Sequence, residues 1–255
     1  IENQREDQMI FQLPYTGGVP NAIATGKILI YEPYKPYLFS HNIKWSYGGT
    51  NERKGDIFYR SVSRMPFEQM ISALKKSGFT GVLVDSFGYD EQSLEELMGN
   101  LNQVTKKPSI ISDNSRYIYY DIEEINPMDL NLRKVDLAVD WGKGFYELEN
   151  DKTSSWRWGR NTADLNLINL ENQDIIVSVQ AEVQIPDIKN NKMSLTLNNK
   201  EEVYQSIEPD QLITCEIKIK PGVNQLKFET NGDRVIEGEP RDLHFLLRNV
   251  SIESN

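Results

Sequence analysis

The stretch PFEQMISALKKSGFTGVLVD, residues 66–85, decides the fold of the first part of this chain. Pro66 suits the first turn of a helix, and Gly78 is placed to end it. Between them, four apolar residues recur at helical spacing: Phe67, Met70, Ile71 and Leu74. The apolar run that follows predicts a buried strand ending at Asp85. A helix leading directly into a buried strand is typical of an α/β unit.

The flanking residues extend this α/β pattern in both directions. We expect further strands over residues 9–13, 109–112 and 116–120, and a second helix capped by Asp90. The residues predicted to face inward from that helix are Leu94, Leu97, Met98, Leu101 and Val104. Residues 31–37 contain Pro33 and Pro36 and are predicted to be extended or irregular. Residues 1–125 are therefore predicted to form a βαβαββ-like unit with a mixed sheet.

The second half of the chain shows no helical stripe. Residues 126–135 are polar and interrupted by Pro127, which favours a linker. From residue 136 to residue 255, about eight alternating segments follow one another with turn residues between them. This spacing predicts an all-β sandwich of the jelly-roll type.

Composition excludes several classes of function. The formal net charge of −10 over 255 residues opposes nucleic acid as a partner. The single cysteine, Cys215, excludes an internal disulfide and a cysteine-rich zinc site. Phosphate-binding Gly-rich, Gly-x-Ser-x-Gly and His-Glu-x-x-His motifs are missing. The sequence therefore predicts neither a cofactor nor a metal.

The N-terminal residues favour a piece of a larger or processed protein. The chain starts at Ile1 without a methionine, and its first seven residues lack the apolar centre of a signal peptide. It also contains no apolar run of about 18 residues, so the sequence predicts no membrane span of its own.

The first candidate binding site is a predicted loop over residues 44–55. Trp45 and Tyr47 could stack on a sugar ring, Gly48 and Gly49 allow close backbone approach, and Lys54 could bind an anionic group. The alternative is a compact surface loop with a buried tryptophan anchor.

A second candidate site lies beyond the best predicted strand. Asp85 ends that strand, where open α/β sheets bind ligands, and Tyr89 lies in the same loop. With Asp113 it offers a pair of carboxylates for acid–base chemistry on carbohydrate. Helix capping by Asp90 and a structural role for Asp85 are the alternatives.

The third candidate lies in the predicted sandwich. Alternation places Trp156 and Trp158 on one face of a strand and Arg157 on the other. An exposed pair of indoles would form a sugar-stacking platform, whereas the apolar residues nearby favour packing in the core. We expect Arg241 to pair with a carboxylate and hold a loop.

These motifs, in this order, resemble a known arrangement. Their residues are Phe11–Tyr15, Lys44–Gly48, Gly78–Asp85 and Gly88–Tyr89, then Gly144–Tyr146, Trp156–Trp158 and Pro240–Leu243. The chain resembles the C-terminal part of multispanning bacterial membrane proteins described as glycosyltransferases, sugar translocases or phosphoglycerol transferases of cell-surface polymer synthesis. The sandwich resembles a carbohydrate-binding module.

The resemblance implies a location and a partner. The missing membrane-embedded helices would carry lipid-linked sugar chemistry. This part would face outward, contact a saccharide or cell-wall polymer, and have no turnover of its own. A carbohydrate-active enzyme using Asp85 and Asp113, and a purely structural assembly domain, remain the alternatives.

Overall fold

The computed structural model describes residues 8–17, 27–29, 31–47, 50–126, 135–185, 192–207, 210–234 and 238–255. The chain divides into two compact units, Ile1–Val135 and Asp136–Asn255, called here the first and the second unit. The second unit begins where the sequence predicts the sandwich to begin. Residues 127–134 of the predicted linker lie outside the described residues.

The first unit contains one five-stranded sheet and several helices. Its strands are β1 (Gln8–Leu13), β2 (Ile43–Trp45), β3 (Gly81–Asp85), β4 (Ile110–Ile111) and β5 (Tyr117–Asp121). Its α-helices are α1 (Lys35–Leu38), α2 (Lys54–Ser63), α3 (Phe67–Lys76) and α4 (Glu91–Thr105). The sheet order is β2-β1-β3-β5-β4, with β2, β1 and β3 parallel and the other two pairings antiparallel.

The two predicted helices of the first unit are present. Pro66 immediately precedes α3, and Gly78 follows that helix with a positive φ of 87°, which glycine adopts without strain. Asp90 caps α4, because its Oδ1 accepts a hydrogen bond from the Ser93 amide at 2.8 Å. Leu101 is the one fully buried member of the predicted inner stripe; the others are half-buried.

Two predictions for the first unit are wrong. Residues 32–38 form a 3-10 turn and then α1, because Pro33 and Pro36 each lie in a first helical turn, where proline is tolerated. Trp45 ends β2 and Lys54 begins α2, so neither belongs to the loop predicted over residues 44–55. That helix has no apolar stripe to reveal it, since its buried residues include two polar ones: Asp56, Ile57, Ser61 and Val62.

The second unit is a β-sandwich, as predicted, and ten strands are described in it. They are β6 (Leu137–Trp141), β7 (Glu149–Asn150), β8 (Ser155–Gly159), β9 (Thr162–Asn169), β10 (Ile175–Gln184), β11 (Met193–Leu197), β12 (Glu201–Ile207), β13 (Gln211–Ile219), β14 (Gly222–Thr230) and β15 (Phe245–Ser254). One sheet has the order β13-β10-β15-β8-β7 and the other β12-β11-β14-β9-β6.

The core of the sandwich lies between these two sheets. Alternate residues of β10 point inward, and the buried cluster draws on both sheets. Phe228 of β14 and Phe245 of β15 stack with ring centroids 6.0 Å apart, so aromatic contact joins the sheets.

Candidate functional site

The carboxyl ends of the three parallel strands meet at one edge of the first sheet. β1 ends at Leu13, β2 at Trp45 and β3 at Asp85. Residues that follow these strands are therefore gathered at the edge where open α/β sheets bind ligands.

The dominant feature of this edge is one arginine held by two carboxylates. Arg116 donates to Asp85 through Nε–Oδ1 (2.9 Å) and Nη2–Oδ2 (2.7 Å), and to Glu32 through Nη1–Oε1 (3.0 Å) and Nη2–Oε2 (2.9 Å). Its guanidinium also lies 4.5 Å from the ring centroid of Phe87 and 5.0 Å from that of Tyr117. The bonds from Arg116, with those from Lys35, hold the pKa of Glu32 well below its ordinary range.

This arrangement bears on the predicted pair of catalytic carboxylates. Both oxygens of Asp85 accept hydrogen bonds from Arg116, and Oδ1 also accepts one from the Phe87 amide at 3.2 Å. Asp113 lies in the exposed turn before β5. The Asp85 carboxylate therefore holds the Arg116 side chain in place. This bonding opposes the use of Asp85 as a free general base.

Trp45 and Tyr47 are built into the first unit. Trp45 is half-buried against the core, and its Nε1 donates to Ser40 Oγ at 2.7 Å. Tyr47 is buried and meets Tyr34 edge-on at a centroid distance of 4.7 Å. Burial raises the pKa of the Tyr47 hydroxyl. The structure therefore gives both residues packing contacts, while Gly48 and Gly49 lie outside the described residues.

The other two predicted ligand-binding residues of the first unit, Lys54 and Tyr89, differ in burial and in surroundings. Lys54 is exposed at the start of α2. Tyr89 is half-buried, and burial followed by the nearby charge of Asp85 raises the pKa of its hydroxyl. Tyr89 thus belongs with the Asp85 edge, whereas Lys54 faces solvent.

Sequence reasoning missed a buried polar cluster beside this edge. Asp56 of α2 is fully buried; it accepts a hydrogen bond from the Tyr15 hydroxyl and pairs with Arg60 Nη1 at 2.9 Å. Burial, reinforced by the Asp56 hydrogen bond, raises the pKa of Tyr15. The Glu52 amide also donates to Asp56, at 3.0 Å. These contacts tie the loop after β1 to the start of α2.

The cavity beside Asp85 is small. It measures about 20 Å³, which is enough for about one water molecule. Its walls include Gln12, Pro33, Pro36, Asp85 and Tyr117. The Nε2 atom of Gln12 donates to the Pro33 carbonyl oxygen at 2.9 Å, which holds residues 32–38 over the cavity. This cavity is too small for a sugar ring.

The second unit resolves which way the tryptophans of β8 point. Arg157 lies opposite Leu247 of β15, and Leu247 belongs to the core. Trp156 and Trp158 lie opposite Arg248 and Leu246 on the other face. Paired residues share a face, so Arg157 points inward and both tryptophans point outward. The predicted alternation is confirmed, while the expectation that the indoles fill the core is wrong.

Beside Trp156 lies an open cleft of about 220 Å³, roughly an order of magnitude larger than the cavity beside Asp85. It is lined by residues of β6 from one sheet and of β8 and β15 from the other. Its walls are mostly apolar: Trp141, Leu148, Ser155, Trp156, Arg157, Leu247 and Val250. Aromatic walls with a few polar groups are typical of ligand sites.

Polar contacts fix the walls of this cleft. Arg157 lies 4.8 Å from the ring centroid of Trp141, and its Nη1 donates to the Tyr146 carbonyl oxygen at 2.9 Å. Trp156 Nε1 donates to Glu149 Oε2 at 3.2 Å. These contacts fix the side chains of Trp141 and Trp156, two of the residues that line the cleft.

The predicted role of Arg241 is confirmed. Its guanidinium pairs with Glu149 at 2.5 Å and with Glu239 at 3.0 Å. Glu149 also accepts a hydrogen bond from the Trp156 indole, so Arg241 is linked to this cleft residue through Glu149. Trp156 has a further cation neighbour in Arg248, 5.8 Å from its ring centroid.

The described residues contain neither a candidate metal site nor a candidate membrane-spanning helix. No cluster of three or more histidine, cysteine, aspartate or glutamate residues there could hold a metal ion. In the same residues, no helix combines the length and apolar character needed to cross a membrane.

No family model and no curated protein matches the sequence. Among solved structures, the chain is similar to a ruminal GH26 endo-beta-1,4-mannanase (16% identity, TM-score 0.26) and to the Podospora anserina GH26-CBM35 beta-(1,4)-mannanase (7%, 0.28). These matches cover 45% and 47% of this chain but 20% and 28% of the enzymes. A match to CBM35 from Paenibacillus barcinonensis has 11% identity and a TM-score of 0.28, covering 46% of this chain and 93% of the module. The strand pairing of this chain, rather than these similarities, defines its sandwich.

Four cleft residues were not predicted from the sequence: Trp141, Leu148, Leu247 and Val250. Trp141 ends a strand that lies about 15 residues before β8, and no local pattern links the two. The available signal was Arg157 itself, because a charged residue among inward-facing positions requires a partner.

Proposed function

We propose that the second unit is a saccharide-binding module whose ligand occupies the cleft beside Trp156. The observation that carries this proposal is one open cleft whose lining residues include two tryptophans, Trp141 and Trp156. The rings of tryptophan offer flat apolar area for the C–H faces of a sugar. Ser155 and Arg157 supply hydrogen-bonding groups in the same walls.

We further propose that the chain belongs to a membrane-bound protein of bacterial cell-surface polymer assembly, namely a glycosyl or phosphoglycerol transferase. In this proposal the described units lie outside the cytoplasmic membrane, tethered through a part of the polypeptide beyond this sequence. The support is the motif resemblance centred on Trp45–Gly48, Gly78–Asp85 and Trp156–Trp158. The ligand would then be the growing or acceptor polymer.

Calorimetric titration with cell-wall polysaccharide fragments tests the binding role. We expect Trp156→Ala to weaken binding at least tenfold, equivalent to about 1.4 kcal/mol. Trp158→Ala is the matched control, because Trp158 lies on the same strand and face but does not line the cleft. It should bind nearly as the unchanged protein does.

Two results would contradict the proposal. One is the absence of heat from every fragment at millimolar concentration. The other is an equal loss of affinity in Trp156→Ala and Trp158→Ala, when urea denaturation shows that both variants are folded.

A further inference from the structure

One short segment of the first unit carries much of the exposed apolar surface. Five of the ten large apolar side chains that the described residues expose lie between residues 29 and 39. They are exposed by 59–83%, with Phe39 highest, and we call them the apolar patch: Leu29, Tyr31, Tyr37, Leu38 and Phe39. Such a concentration marks an interaction surface rather than scattered exposure.

An ion pair and hydrogen bonds attach the segment that carries the patch to the sheet of the first unit. Glu32 forms an ion pair with Arg116, and the Pro33 carbonyl oxygen accepts a hydrogen bond from the Gln12 side chain. The Ser40 hydroxyl accepts a hydrogen bond from the Trp45 indole N–H and donates one to the Pro36 carbonyl oxygen at 2.8 Å. These two bonds link the segment to β2. The apolar side chains are therefore held outward on a fixed support.

The way in which the side chains of the patch project favours a binding partner whose surface can deform around them. α1 buries none of its four residues, so Tyr37, Leu38 and Phe39 all project from the end of this single turn. Side chains that project in this way can enter the boundary between lipid headgroups and acyl chains, where tyrosine, phenylalanine and leucine are favoured.

The local charge differs in sign from that of the whole chain. Residues 27–47 contain three lysines, one glutamate and no aspartate or arginine, a net charge of +2 with His41 neutral, whereas the chain carries −10. A cationic, aromatic segment in an acidic protein is complementary to an anionic lipid surface.

We propose that the apolar patch and its flanking lysines bind the surface of an anionic lipid bilayer. The apolar side chains enter the interface, and Lys27 and Lys44 lie among the headgroups. This surface belongs to the first unit and does not depend on saccharide binding by the second.

Sedimentation with lipid vesicles tests the proposal on the whole chain. We expect the protein to sediment with vesicles containing phosphatidylglycerol and to bind pure phosphatidylcholine vesicles more weakly. The double variant Leu38→Ser/Phe39→Ser should reduce partition into the anionic vesicles at least about tenfold. The double variant Lys27→Gln/Lys44→Gln should reduce the preference for anionic vesicles, and about 0.5 M salt should do the same.

The matched control removes apolar surface elsewhere. Ile176→Ser/Leu212→Ser changes two exposed residues of the sandwich and should leave partition unchanged. Absence of vesicle binding by the unchanged protein would overturn the proposal. So would equal losses in the patch and control variants, or self-association that Leu38→Ser/Phe39→Ser abolishes while no vesicle binding is seen.

Discussion

The guanidinium of Arg157 stacks on the indole of Trp141, 4.8 Å from its ring centroid, and so joins the two sheets of the sandwich at their open edge. Arg157 comes from β8 of one sheet and Trp141 from β6 of the other. The contact explains how a charged residue occupies an inward-facing position. Both residues also line the cleft that we propose as the saccharide site.

Replacing Arg157 by alanine should therefore destabilise the second unit by about 1–3 kcal/mol. The variant loses the cation–π contact and a charged hydrogen bond to the Tyr146 carbonyl. Urea denaturation followed by tryptophan fluorescence would measure the change. Arg160→Ala is the control, since Arg160 is exposed; an equal loss there would contradict the structural role of Arg157.

Replacing Arg116 by methionine should destabilise the first unit by about 3–5 kcal/mol. Methionine keeps much of the length but leaves Asp85 and Glu32 without their shared cation, in an arrangement where the Arg116 side chain is 10% exposed. Hydrogen exchange of the β3 and β5 amides would report the loss. Exchange rates unchanged from those of the natural protein would show that the cluster adds no net stability.

The stability of the first unit should also depend on acid through Glu32. The pKa of Glu32 is lowered in the folded protein from its ordinary value of 4.5, so its contribution is complete above that value and is lost as the pH falls below it. Glu32→Gln should be less stable than the natural protein at neutral pH, and the difference should shrink below about pH 4. Parallel pH profiles for the two proteins would contradict this.

Two glycine-to-alanine changes should have opposite effects. A Cβ on Gly159 would lie 2.1 Å from the ring of Phe245, whereas one on Gly99 of α4 would meet nothing within 4 Å. Gly159→Ala should destabilise the sandwich by about 1–3 kcal/mol through overpacking. Gly99→Ala should stabilise the helix by about 0.5–1 kcal/mol. Melting temperatures that move in the same direction would contradict the assignment of Gly159 to the inner face.

Local sequence patterns predicted the elements whose cause is local. Pro66 and Gly78 mark the ends of α3, Asp90 caps α4, and the apolar run that ends at Asp85 gives β3. The same patterns failed for α2, because two of its four buried residues are polar, and for α1, because its proline lies in the first turn.

Tertiary structure alone decided the candidate sites. Alternation by itself placed Trp156 and Trp158 on one face of β8, yet only the register with Leu247, about 90 residues later, shows that this face is the outer one. Likewise, Glu32 and Arg116 are 84 residues apart in sequence and meet only because the sheet brings them together. Periodicity along a chain reports which residues share a face, whereas the direction of that face depends on what packs against it from distant parts of the chain.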